Sequence, residues 1–232
     1  MLVLGIETAT PWGSLALCDD DEIILEVSLK VSKGGGEYLL AMLDLLIQKC
    51  GRKLSDLNLI AVGTGPGSYT GIRVGLATVQ GLAEALQVPV VGVSTLRVIA
   101  ENARYGCEWV GSMIDARRGD VYAALYQSTV DGLLEVLPPE AISALKFREK
   151  FATLSKVLLC GDGSRAYPEI WSGIQNIQIG PKEWDRPLAS RVGLYGSNQW
   201  ELGLTQRPEE LHPTYLRRVE AEVRLEERTN AD

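Results

Sequence analysis

A chain of 232 residues with 46% hydrophobic residues is long enough for one large domain or two small ones with buried cores. Thirty acids against 23 basic residues give a net charge of −7, which disfavours direct, tight binding to a phosphate backbone. A single histidine, His212, excludes any two-histidine metal site, and Cys18, Cys50, Cys107 and Cys160 form no CxxC pair.

In chain order, the apolar N-terminus lacks the basic start of a signal peptide and meets an acid at Glu7. A buried first strand from Leu2 to Ile6 and a cytosolic protein are expected. No run is long enough to span a bilayer, so no membrane association is expected. "SLALC" (14–18) and "IILEVSL" (23–29) read as two further strands around the turn "DDDE". After Gly34-Gly35-Gly36 a helix is expected over 37–49, ended by Gly51. "LNLIAVG" (57–63) reads as a buried strand, followed by a glycine-rich loop, a helix over 71–86 and the strand "PVVGV" (89–93). Strands alternating with helices predict an α/β fold with a partly parallel sheet.

The pattern then restarts. Ile114-Asp115 repeats Ile6-Glu7 at the end of an apolar strand, and "VYAALY" and "GLLEV" follow as "SLALC" and "IILEV" did. "VLLCGDGS" (157–164) echoes "IAVGTGPGS" (60–68). The order predicts duplicated βββαβα lobes, over 1–103 and 104–218, with the second reduced. There Pro138-Pro139 reads as the start of a linker, 140–154 has helical periodicity, 181–187 reads as a loop and 188–203 as a helix. The charged tail 219–232 is expected to fray.

Two features carry candidate chemistry. "GTGPGSYTGIRVG" (63–75) lies between a buried strand and a helix, where backbone N–H groups and the helix dipole favour an anion. Gly65 and Gly67 permit close approach, and Ser68, Thr70 and Arg73 add donors. It matches neither GxGxxG nor Walker A, so a tight steric turn stands beside phosphate binding. In "GIETAT" (5–10), Glu7, Thr8 and Thr10 form the acid and hydroxyl-rich turn with which some phosphotransfer folds hold metal and phosphate; an exposed turn acid is the plain alternative.

A third feature is apolar excess. Nine of the ten residues 38–47 are apolar, with Asp44 the exception. On the next helix Ile72, Leu76, Val79, Ala83 and Leu86 make one stripe, and Val74, Ala77, Gly81 and Ala85 a second. In so small a lobe this excess favours an interface. Tyr38, Leu39, Met42, Leu43, Leu46, Ile72, Leu76, Val79 and Ala83 are its candidate residues.

"GIETAT", "GTGPGSYTGIRVG", "GVSTL" (92–96), "IDARRGDVY" (114–122) and "HPTYLRR" (212–218), in this order, resemble the TsaB (YeaZ) family. The resemblance implies a two-lobed actin-like, sugar-kinase and Hsp70-type (ASKHA) fold with a degenerate nucleotide cleft. It also implies a noncatalytic subunit in making threonylcarbamoyladenosine at position 37 of tRNAs. The implied partners are a TsaD-type catalytic paralogue, bound through N-lobe helices, and a TsaE-type ATPase, with a homodimer when free and tRNA reached only through the complex. No catalytic residue, metal or cofactor is implied for the chain alone, with ATP or ADP at the joint surface as the nucleotide to consider. The chain departs from the family in two places: Glu7 stands where Asp is commoner, and the segment Gly34-Gly35-Gly36-Glu37 replaces a His-containing one.

The competing reading is an autonomous kinase or ATPase, with Glu7 or Asp115 on Mg²⁺ and the glycine loop on phosphate. A peptidase is disfavoured, since His212 would be its only base.

Overall fold

The computed structural model describes residues 1–31 and 36–217. The first lobe runs β1 (Leu2–Glu7), β2 (Trp12–Asp19), β3 (Glu22–Lys30), α1 (Glu37–Cys50), β4 (Leu59–Gly65), α2 (Tyr69–Leu86) and β5 (Val90–Ser94). After α3 (Thr95–Glu101) come β6 (Trp109–Arg117), β7 (Asp120–Thr129), β8 (Gly132–Ser143), α4 (Ala144–Glu149) and β9 (Val157–Cys160). The short α5 (Gly163–Ala166) and α6 (Pro168–Trp171), β10 (Ile177–Ile179) and α7 (Ala189–Glu201) complete it. No helix among the described residues is long and apolar enough to cross a membrane.

The strands form two five-stranded sheets of the same order, β3-β2-β1-β4-β5 and β8-β7-β6-β9-β10. In each, the central strand runs antiparallel to its hairpin partner and parallel to the next strand inward, β4 or β9. The duplication expected from the sequence is thus present in the strand order. The second lobe is reduced where helices are concerned: the 6-residue α4 stands in the place of the 14-residue α1, and the 4-residue α5 and α6 in that of the 18-residue α2.

Alternation along β1 explains the layering. Leu2, Leu4 and Ile6 face one side and pack with α1 and α2, while Val3 faces the other and packs with α7. Gly5 lies under α7 so closely that a Cβ would fall 2.1 Å from the Ala189 carbonyl oxygen.

The two halves of the chain on either side of residue 103 are interlocked by their helices. The helix after β5, α3, packs largely on β6 and β7 of the second sheet, whereas α7, after β10, packs on β1, β2, β4 and β5 of the first. Each half of the chain sends its last helix to the other sheet, which no local pattern reveals. The segment 204–217 also returns to the first lobe, with Gln206 bridging to Val90.

Pro138-Pro139 is not a linker. It lies inside β8, the outer strand of its sheet, where a missing N–H is tolerated. Pairing of Leu125 with Leu137 but Ala123 with Glu140 leaves an extra β8 residue at the prolines, a bulge. Helix is therefore confined to Ala144–Glu149 within the expected 140–154. The tail 219–232 and Gly34-Gly35 lie outside the described residues.

Candidate functional site

The two glycine- and hydroxyl-rich segments meet at the carboxyl ends of β1 and β4, where ligands bind in open α/β sheets. They meet chiefly to grip each other. The Ser68 N–H donates to the Ala9 carbonyl oxygen at 2.7 Å, and the Thr8 hydroxyl donates to the Gly71 carbonyl oxygen at 2.7 Å. A Cβ on Gly67 or Gly71 would lie 2.1 Å from the Ala9 or Thr8 carbonyl oxygen respectively. The glycines therefore answer a close approach within the protein, the steric alternative open at the sequence level.

Glu7 is fully buried, not an exposed turn acid. Its carboxyl accepts from the Ala9 N–H at 2.6 Å and from the Thr95 hydroxyl at 3.3 Å, and it lies against Gly63, whose Cβ would meet it at 2.1 Å. Burial pushes its pKa up to about 7, against these hydrogen bonds. Thr10 is spent on its own turn, with its hydroxyl 3.2 Å from the Trp12 N–H. Thr70 and Arg73 stay at the surface. Ser68, also exposed, caps α2 by accepting from the Gly71 N–H at 3.2 Å, and this starts the helix two residues earlier than expected. Gly65 sits beneath the returning C-terminal segment, 3.0 Å from the Thr214 carbonyl oxygen on an ideal Cβ.

That segment straps the two lobes. Thr214 N–H donates to the Thr64 carbonyl oxygen at 2.8 Å. Tyr215 stacks on Tyr69 with ring centroids 5.2 Å apart and accepts from Arg73 Nε, whose guanidinium lies 4.3 Å over the Tyr69 ring. Two residues on, Arg217 pairs with Asp120 and donates to the Ala116 carbonyl oxygen in the second lobe. Asp115, the second-lobe equivalent of Glu7, accepts from the Tyr167 hydroxyl and the Arg117 N–H, both at 2.9 Å. Both acids are held by their own lobes. Among the described residues no three His, Cys, Asp or Glu side chains converge as metal ligands. The strap was visible in sequence only as the "HPTYLRR" block; its contacts are long-range and carry no local signal.

The helices required a correction of residues. Leu39, Met42, Leu43 and Leu46 of α1 and Ile72, Leu76, Val79 and Ala83 of α2 are buried in the first lobe's core, against Leu4, Ile6 and Val62. Tyr38 is half-buried over Gly13. These side chains cover the apolar sheet face beneath them. The exposed positions are different ones: Leu40 and Leu45 on α1, 59% and 43% accessible, and Ala77, Gly81 and Ala85 on α2. The spacing of the second stripe already separated those small residues from the inward stripe.

The paired sheets and exchanged helices define the actin-like, sugar-kinase and Hsp70-type fold class. Residues 30–223 match the family model described as TsaD, tRNA N6-adenosine threonylcarbamoyltransferase. The tRNA threonylcarbamoyladenosine biosynthesis protein TsaB of Escherichia coli (strain K12) is 32% identical over 94% of this chain and 95% of its own. Its namesake in Bacillus subtilis (strain 168) is 30% identical over 97% of each. The structure of YeaZ from Pseudomonas aeruginosa superposes with a TM-score of 0.80 at 28% identity, covering 93% of this chain and 99% of that one. The chain belongs to the TsaB (YeaZ) family.

Proposed function

We propose that this chain is a noncatalytic partner subunit in forming threonylcarbamoyladenosine at position 37 of tRNA. It docks on a TsaD-type catalytic paralogue through the outward faces of α1 and α2. The relatives' names support the pathway. The observation that carries the docking role is the outward face of α2. Gly81 sits inside an 18-residue helix with nothing within 4 Å of an added Cβ. A mid-helix glycine costs about 1 kcal/mol against alanine and has no use inside this lobe. Flanked by Ala77 and Ala85, it allows another backbone to approach closely. Leu40 and Leu45 add apolar surface on α1.

An autonomous kinase is disfavoured, because Glu7, Thr8 and Asp115 are engaged within the protein. Thr70 and Arg73 lie exposed at the start of α2, Arg73 held by Tyr69 and Tyr215, and a phosphate of ATP or ADP shared with the partner would have to be reached from there. A TsaE-type ATPase and tRNA join through that complex, and the same surface serves a homodimer when the chain is free.

Reconstitution tests the role. The purified chain alone should transfer no threonylcarbamoyl group, and adding it to the TsaD-type subunit with TsaE, tRNA and threonylcarbamoyl-AMP should restore transfer. Transfer by this chain alone, or equal transfer without it, would sink the proposal.

A further inference from the structure

Among the described residues, the outer strands of the two sheets are β3, β5, β8 and β10, and an outer strand left uncovered offers its backbone to another chain. Three of these edges are guarded. Gln206 covers β5, its backbone exchanging hydrogen bonds of 2.8 and 2.9 Å with Val90. β8 carries Pro138-Pro139 and its bulge, and β10 has only three residues. β3, by contrast, has nine residues and no proline. Its irregularity is confined to Ile24, the extra residue where Leu17 pairs with Leu25 but Cys18 with Ile23. From Leu25 to Lys30 the strand is regular. One hydrogen bond fixes which of its backbone groups are open. Val31 N–H donates to the Pro11 carbonyl oxygen at 2.8 Å, in register with Trp12 opposite Lys30. Backbone groups alternate in direction along an antiparallel strand, so Leu25, Val27 and Leu29 also turn theirs toward β2. Glu26, Ser28 and Lys30 turn theirs outward, where no strand follows among the described residues.

This edge is complementary to itself. About a twofold axis through Ser28, an antiparallel copy sets Glu26 opposite Lys30, Ser28 opposite Ser28 and Val27 opposite Leu29. The outward residues of the two copies then meet as hydrogen-bonded pairs. The opposite charges fall on the side of α7, where Glu26 already accepts from the Ser190 hydroxyl at 2.7 Å. The apolar pairs fall on the side of α1, where Val27 packs on the core and Leu29 is 46% exposed. An axis through Val27 sets Glu26 opposite Ser28, and one through Glu26 sets two carboxylates face to face, so the charges select Ser28. We propose that β3 pairs with β3 of a second copy of this chain, joining the two five-stranded first-lobe sheets edge to edge. The contact uses the edge of β3 and not the outward face of α2, and it stands or falls independently of the docking role.

Amide exchange of the full chain, read residue by residue, tests it. Gly81→Arg is kept in place to block self-contact through α2. The amides of Glu26, Ser28 and Lys30 should exchange at least about tenfold more slowly in concentrated than in dilute protein, as sedimentation shows monomer passing to dimer. Ser28→Pro removes an outward N–H and spares the pairing with β2, so it should abolish the protection of Glu26 and Lys30. Lys30→Glu, at an exposed position, sets like charges opposite each other and should weaken the association at least about tenfold; it serves should the proline disturb the fold. Exchange at the three amides that does not change with concentration, or protection undiminished in folded Ser28→Pro or Lys30→Glu, overturns the proposal. Protection that appears only on adding a TsaD-type subunit assigns the edge to that subunit and overturns it as well.

Discussion

Glu7 shows how a residue type is read differently once its surroundings are known. At the end of a first strand before a hydroxyl-rich turn, it has the pattern of a metal- or phosphate-handling acid. In the fold it is a buried carboxyl wedged against Gly63, with a pKa raised to about 7 by burial. The folded state then holds its proton where the unfolded chain, at 4.5, has lost it. Stability from this group is full below about pH 4.5, falls as pH rises, and levels off above about 7. The fall is on the order of 3 kcal/mol at most. Glu7→Gln cannot ionise and can keep the contacts to Ala9 and Thr95. Its thermal midpoint should therefore lose that downward drift between pH 5 and 7 and exceed the parent's at pH 8. Equal pH slopes in the two proteins would show that Glu7 titrates normally.

At the scale of elements, α2 divides its labour by face. Ile72, Leu76, Val79 and Ala83 hold the sheet, and Ala77, Gly81 and Ala85 look outward. Gly81→Ala should raise stability by up to about 1 kcal/mol in urea unfolding, because its Cβ enters open space. A loss would mean that the glycine serves the folded lobe itself. The helix and its two stripes were legible in the sequence, since spacing alone sets which residues share a face. Which stripe points inward was not, because that depends on the sheet beneath. Pro138-Pro139 misled for a related reason: proline reads as a break until the strand is known to be an outer one with a bulge.

At the scale of the whole molecule, the repeat of Ile-acid, hairpin and Gly-Ser segments made the duplication legible, and the matching strand orders bear it out. The exchange of α3 and α7 between sheets, and the strap from Thr214 to Arg217, were not legible. Both are contacts between residues far apart in the chain, with ordinary local sequence. Together they tie the lobes to each other, and the outer faces of α1 and α2 stay exposed. On the proposed role, this face docks a TsaD-type subunit. Calorimetric titration of that subunit with the chain and with folded Gly81→Arg tests it most directly. Tight binding is expected from the parent, with a loss of at least about thirtyfold in the variant. Undiminished binding by Gly81→Arg would contradict it.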